Sequence, residues 1–246
     1  MIDRSPITPS RRKPLLRTED FWNELEDCLS RYDLLRHPFY QAWSTGQLTH
    51  SELREYAAQY YHHVAAFPTY LSAVHARLPA GELRRVVLRN LCEEEIVGRS
   101  HSDLWLDFAE GLGAEREEVR RQEPVQEVRG LIRIYQRFAW EEPVFVALAA
   151  FYAYESQVPR LAREKAHGLT EFYAADAKTC RYFTLHTTAD VRHAAVWREH
   201  LDKALQKDAS QSRTALRGAE EASLALWQAL DGIERQSKAA RASLKH

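Results

Sequence analysis

Apolar residues recur along this chain every third or fourth position, and no stretch alternates convincingly with a period of two. That spacing predicts helices. The first begins near Thr18-Glu19-Asp20 and carries Phe21, Trp22, Leu25, Cys28 and Leu29 on one side. His37-Pro38 interrupts it, and Pro38 opens a short helix through Trp43 that Gly46 stops. Thr49-x-x-Glu52 is a capping-box signal for a helix through Tyr56, Tyr60 and His63, expected to bend or end near Pro68. Pro79 and Gly81 precede a helical segment over 82–111, closed by Gly111 and Gly113. Residues 115–127 are strongly charged and read as exposed, and 128–140 return to helical spacing. Pro143 opens a long apolar segment through Lys165, ended by Gly168. Residues 174–205 and a last pattern to Trp227 and Leu230 complete the domain. The expectation is all-α: about seven to eight helices in one domain over 18–232, with a mobile arm over 1–17 and a polar, fraying tail over 233–246.

Composition sharpens this picture. A chain of 246 residues that is 45% hydrophobic can bury a sizeable core, and only 9 Gly and 9 Pro argue against a many-turned β protein. Its 34 basic and 35 acidic side chains are interspersed, which gives no basis for a nucleic-acid or anionic-membrane partner. No apolar run reaches about 18 residues and no signal-peptide core is present, so a soluble, cytoplasmic protein is expected. Cys28, Cys92 and Cys180 form no CxxC pair and read as reduced thiols.

Three short segments carry the chemistry: Glu94-x6-His101, the lone Glu155, and His186-x3-Asp190-x2-His193. Three imidazoles and three carboxylates suit two oxygen-activating iron or manganese ions, because carboxylates neutralise hard divalent cations and imidazoles add stronger fields. At about 100° per residue, seven residues fall about 20° short of two turns, so Glu94 and His101 share a helix face, as do His186 and His193. Asp190 lies on the latter stripe. A single histidine on a helix is more often structural than a ligand. Here, however, Leu88, Leu91, Trp105, Phe108 and Trp197 flank the pairs with core-type residues, and ionisable groups on an apolar stripe are costly unless paired or metal-bound. One difficulty is the rise of about 10.5 Å between Glu94 and His101 on a straight helix; Gly98 and Ser100 between them let the stretch loosen or bulge. Glu155 ends a long apolar run, and Pro159 four residues on cannot bond its carbonyl, so a bend is expected there. His200 lies about 40° off the His186 stripe and is the nearest decoy. His62 and His63 are adjacent, so at most one of them faces inward.

The segments Gln59-Tyr60-Tyr61-His62-His63, Ala66-Phe67-Pro68, Tyr154-Glu155-Ser156-Gln157-Val158-Pro159-Arg160, Ala162-Arg163-Glu164-Lys165 and Ala189-Asp190-Val191-Arg192-His193-Ala194 resemble the Chlamydia protein associating with death domains and its bacterial relatives, over roughly residues 20–205. The resemblance implies a heme-oxygenase-like bundle, akin to thiaminase-like and pyrroloquinoline-quinone-synthesis proteins, that houses a dinuclear metal site (Fe/Fe or Mn/Fe) and no heme. It maps the same six ligands. It further implies synthesis of p-aminobenzoate for folate from one of the protein's own tyrosines, with O2 and an external reductant as co-substrates. The matching positions are Tyr40, the tyrosine implied to be sacrificed, Tyr56 and Tyr154 as relays or positioning groups, and Lys165 as amine donor. A homodimer is the implied assembly; the electron donor is not identified.

Two other functions fit the residues. One is a dimetal oxidase acting on a diffusible substrate such as a fatty acid or amino acid, which calls for an apolar tunnel. The other is a non-enzymatic interaction protein, against which the complete ligand set argues.

Overall fold

The computed structural model describes residues 17–243. Eleven α-helices account for nearly all of them: α1 (Thr18–Arg31), α2 (Pro38–Ser44), α3 (His50–Arg77), α4 (Glu82–Glu95), α5 (His101–Gly111), α6 (Arg116–Arg121), α7 (Gln126–Trp140), α8 (Val144–Glu155), α9 (Val158–Tyr173), α10 (Ala177–Lys207) and α11 (Ser212–Ser243). No strand occurs among the described residues. The bundle is all-α as expected, with more helices than the seven to eight read from the sequence. The expected N-terminal arm falls almost wholly outside the described residues. The segment past Ile233 is helical through Ser243.

Local chemistry sets the helix starts. Thr49 and Glu52 form the capping box: the Thr49 hydroxyl accepts from the Glu52 N–H at 3.2 Å, and Glu52 accepts from the Thr49 N–H at 2.7 Å. The His37 ring accepts from the Phe39 N–H at 3.1 Å ahead of Pro38, which opens α2. Ser100 caps α5 and Asp176 caps α10 in the same way.

Four points differ from the periodicity. α3 does not end at Pro68 but runs on to Arg77. An interior proline costs about 3 kcal/mol, and the buried Tyr70, Leu71 and Val74 beyond it repay that at about 1.5–3 kcal/mol each. The 82–111 segment is two helices, parted at Ile96–Ser100 where Gly98 takes φ +79°. The apolar segment opened by Pro143 is also two, parted at Ser156-Gln157 with Pro159 in the first turn of α9. Gly168 does not end α9; a Cβ there would lie 2.8 Å from the Trp43 ring, so the glycine lets α2 approach α9.

α8 lies at the centre. Every residue from Val146 to Glu155 is buried, and α7, α10 and α11 pack around it. A helix that is apolar all round has no solvent face to offer. Its one carboxylate, at its last residue, is therefore delivered into the core. No described helix is long and apolar enough to cross a membrane.

Candidate metal centre

The six carboxylate and imidazole residues picked out from the sequence meet in two adjoining buried triads. Glu94, His101 and His186 form one, and Glu155, Asp190 and His193 the other; within each triad the ligand atoms lie within 4.8 Å of one another. The break at Gly98 does what a straight helix could not. Glu94 stands in the last turn of α4, His101 opens α5, and their Oε2 and Nδ1 atoms come to 2.8 Å. The two residues share a site because the chain folds between them, not because they share a helix face.

α10 carries His186, Asp190 and His193 inward on one stripe. The Nδ1–H of His186 donates to the Tyr182 carbonyl at 2.7 Å, which leaves Nε2 free to bind a cation. The Nε2–H of His193 donates to Glu93 at 2.8 Å, which turns its Nδ1 toward Asp190 at 3.4 Å and Glu155 at 3.7 Å. Glu155 accepts from the Trp197 indole N–H at 2.6 Å. Glu93, which reads as acidic surface in sequence, and Trp197, which reads as core, therefore orient two of the six.

The donor set fits divalent cations. Glu155 Oε1 and Asp190 Oδ2 are buried and have no hydrogen-bond partner. Such atoms are costly in a core and are satisfied when they coordinate a metal. Electrostatics agree. Burial pushes the Glu155 carboxyl well above its usual range, against the pull of His193. Burial opposes a charge on His193, but Asp190, Glu155 and Glu93 around the ring outweigh it and raise the imidazole to about 10. These protons hold together a cluster of acids that a cation would hold directly. Beside the triads a cavity of about 20 Å³, bordered by His63, Phe67, Tyr154 and Tyr182, has room for a water-sized molecule.

The four tyrosine and lysine candidates also gather in the core. The hydroxyls of Tyr40 and Tyr56 lie 2.9 Å apart, and Lys165 Nζ donates to Tyr56 at 2.6 Å. Nζ stands 4.4 Å from the centre of the Tyr40 ring. Burial lowers Lys165 well below the usual lysine range and raises both phenols, which favours the uncharged form of each. Tyr154 sits apart from this group, beside Glu155. Tyr60 spans the gap: its ring stacks on Tyr56 at 5.5 Å and its hydroxyl is hydrogen-bonded to Tyr154. Its spacing of four from Tyr56 was the available signal. His200 is buried but belongs to neither triad. His63 is the inward one of its pair, fully buried with both ring nitrogens unpartnered.

Comparison with known proteins places this geometry. A family model described as iron-containing redox enzyme matches residues 54–227. The 4-aminobenzoate synthase of Chlamydia trachomatis is 38% identical over 215 residues, covering 87% of this chain and 92% of that protein. The 4-aminobenzoate synthase of Nitrosomonas europaea is 36% identical over 228 residues, covering 89% and 92%. Among solved structures, a domain of unknown function with a heme oxygenase-like fold from Shewanella denitrificans superposes with a TM-score of 0.75 at 16% identity, over 93% of this chain and 96% of that one.

Proposed function

The chain belongs to the iron-containing redox enzyme family, and on that premise we propose that it makes 4-aminobenzoate from one of its own tyrosine side chains. The relatives named 4-aminobenzoate synthase support the product. We assign Glu94, His101 and His186 to one metal and Glu155, Asp190 and His193 to the other. Two iron ions, or one manganese and one iron, would supply O2 activation and oxidising power there, with an external reductant and without heme.

The observation that carries the reading is a buried amine held against a buried phenol. Lys165 Nζ is 4.4 Å from the Tyr40 ring centre, and burial favours its neutral form. Only that neutral form can bond to carbon. Tyr40 is the ring consumed and Lys165 the nitrogen donor. The ring C–O bond is replaced by C–N, with the oxygen leaving as water. The Cε–Nζ bond of Lys165 and the Cα–Cβ bond of Tyr40 break, and Cβ is oxidised to the carboxylate by O2 with the external reductant. Tyr56, bonded to both, is the nearest acceptor for the phenol proton that Tyr40 sheds on oxidation. Tyr154, Tyr60 and Tyr56 form the aromatic path from Glu155 to Tyr40. A tethered reactant also gains the effective molarity of an intramolecular reaction, about 10⁵–10⁸ M. The cavity of about 20 Å³ beside the triads favours this internal ring over a diffusible fatty acid, which could not enter it.

The test is anaerobic loading with Fe(II) and Mn(II), then reductant and O2, with intact mass and small-molecule detection. A single equivalent of 4-aminobenzoate per chain, matched by a mass loss at Tyr40 and abolished in Tyr40→Phe, is the expected result. Repeated turnover of an added substrate that survives Tyr40→Phe would overturn it.

A further inference from the structure

Away from the tyrosine–lysine pocket, a cleft of about 250 Å³ opens between α4 and α10. Val86, Val196 and the buried Trp197 border it with apolar residues, and the exposed Arg89 and Arg192 also line it. Asn90 also lines it. This side chain is 4% exposed, yet neither its amide nitrogen nor its amide oxygen has a hydrogen-bond partner. Leaving such a group unsatisfied costs about 1–3 kcal/mol, so its retention calls for a reason. Glu93, the carboxylate of the lining, is already engaged by Arg192 and His193.

We propose that this cleft binds a small aromatic carboxylate. The volume lies just under the roughly 300–1,000 Å³ of sites for drug-sized ligands, which suits a single ring. Val86 and Val196 supply apolar surface for that ring. Guanidinium groups match a carboxylate, and the free amide of Asn90 offers one donor and one acceptor for a ring substituent. The position adds to the argument. Trp197 lines the cleft and bonds Glu155, and His193 lines it while standing 3.7 Å from Glu155. The inner wall of the cleft is thus the outer wall of the metal centre. Taking 4-aminobenzoate as the ligand rests on the function proposed above: its carboxylate would meet Arg89 and Arg192, and its amine the Asn90 carbonyl. The acid could be formed within the protein or arrive from solvent.

The probes are 4-aminobenzoate, benzoate and aniline, titrated calorimetrically into the iron-loaded protein without O2. Both acids should bind, and aniline about tenfold more weakly or worse. Asn90→Leu and the surface pair Arg89→Ala/Arg192→Ala should each weaken 4-aminobenzoate about tenfold, with helicity and metal content unchanged. Undiminished binding in the correctly folded arginine pair, or aniline binding as well as benzoate, overturns the site. To find the source, protein grown on ring-¹³C tyrosine is exposed to O2 and desalted. Labelled acid retained by the native protein and lost from Asn90→Leu marks an internal origin; a cleft filled only by added acid marks an external one, and both support the site. A protein that forms no 4-aminobenzoate but binds added benzoate in the cleft fails the function and keeps the site. One that forms it and binds it equally well in both variants does the reverse.

Discussion

The buried centre has two halves of opposite character. In the triads, two carboxylate oxygens lie in the core without partners, and the local charge is balanced by protons in unusual places. In the Tyr40–Tyr56–Lys165 group every polar atom has a neighbour and burial favours the uncharged forms. The first half is chemically incomplete and waits on something from solution. The second is complete within the chain, as a bound substrate would be. A core can evidently hold frustrated polar groups a few residues from satisfied ones, provided that the frustration has a use.

The strongest blow to the contrast is Glu155→Gln, which keeps the shape and removes the charge. Metal-dependent O2 consumption should fall to background while the metal-free melting temperature holds or rises. Retained O2 consumption with a large loss of stability would mean the carboxylate is structural. Next comes Tyr40→Phe: 4-aminobenzoate should disappear, with metal content and O2 uptake close to native, as read by metal analysis and an oxygen electrode. Third, metal at a hundredfold over Kd should stabilise the fold by about 2.7 kcal/mol per ion, or roughly 5–10 °C by calorimetry; a flat response would say the triads are not incomplete after all. Fourth, Trp197→Phe removes the N–H from Glu155 and should weaken metal binding about 10–100-fold, with no effect on the tyrosine–lysine hydrogen bonds.

The effect that unfolds most gradually, spread over several pH units, concerns His63, which borders the cavity beside the triads. Burial alone lowers it to about 3, so it stays neutral in the fold. The unfolded ring protonates near 6.5, so between the two values the unfolded chain binds more protons. Stability should therefore fall as pH drops from about 6.5 toward 3, by up to about 1.4 kcal/mol per pH unit. His63→Phe should flatten that slope in urea melts across the range.

Much of this was legible in the sequence, though not always for the right reason. The α10 stripe follows from spacing alone, because three and four residues on a helix return to one face. The Glu94–His101 pairing was found by the same rule and is held together differently, by a turn at Gly98 that periodicity does not register. Pro159 marked the break after Glu155, whereas at Pro68, where a bend or an end was expected, the helix does not end, because buried neighbours carry α3 through it. Glu93, Tyr60 and Trp197 escaped as participants. An indole facing a carboxylate and an indole facing leucine look alike in a one-dimensional pattern, and only the fold tells them apart.

Tyr40 is 2% exposed and wedged edge-on against Phe39, Trp43 and Tyr56. If that ring is the one given up, the molecule loses a keystone along with its reagent. Emptying an aromatic from a packed interior costs about 3–5 kcal/mol, a large share of the roughly 5–15 kcal/mol that keeps a domain folded. A spent chain would then be marked for disposal by its own hollow, and comparing the melting curves of fresh and exhausted protein reads that difference directly.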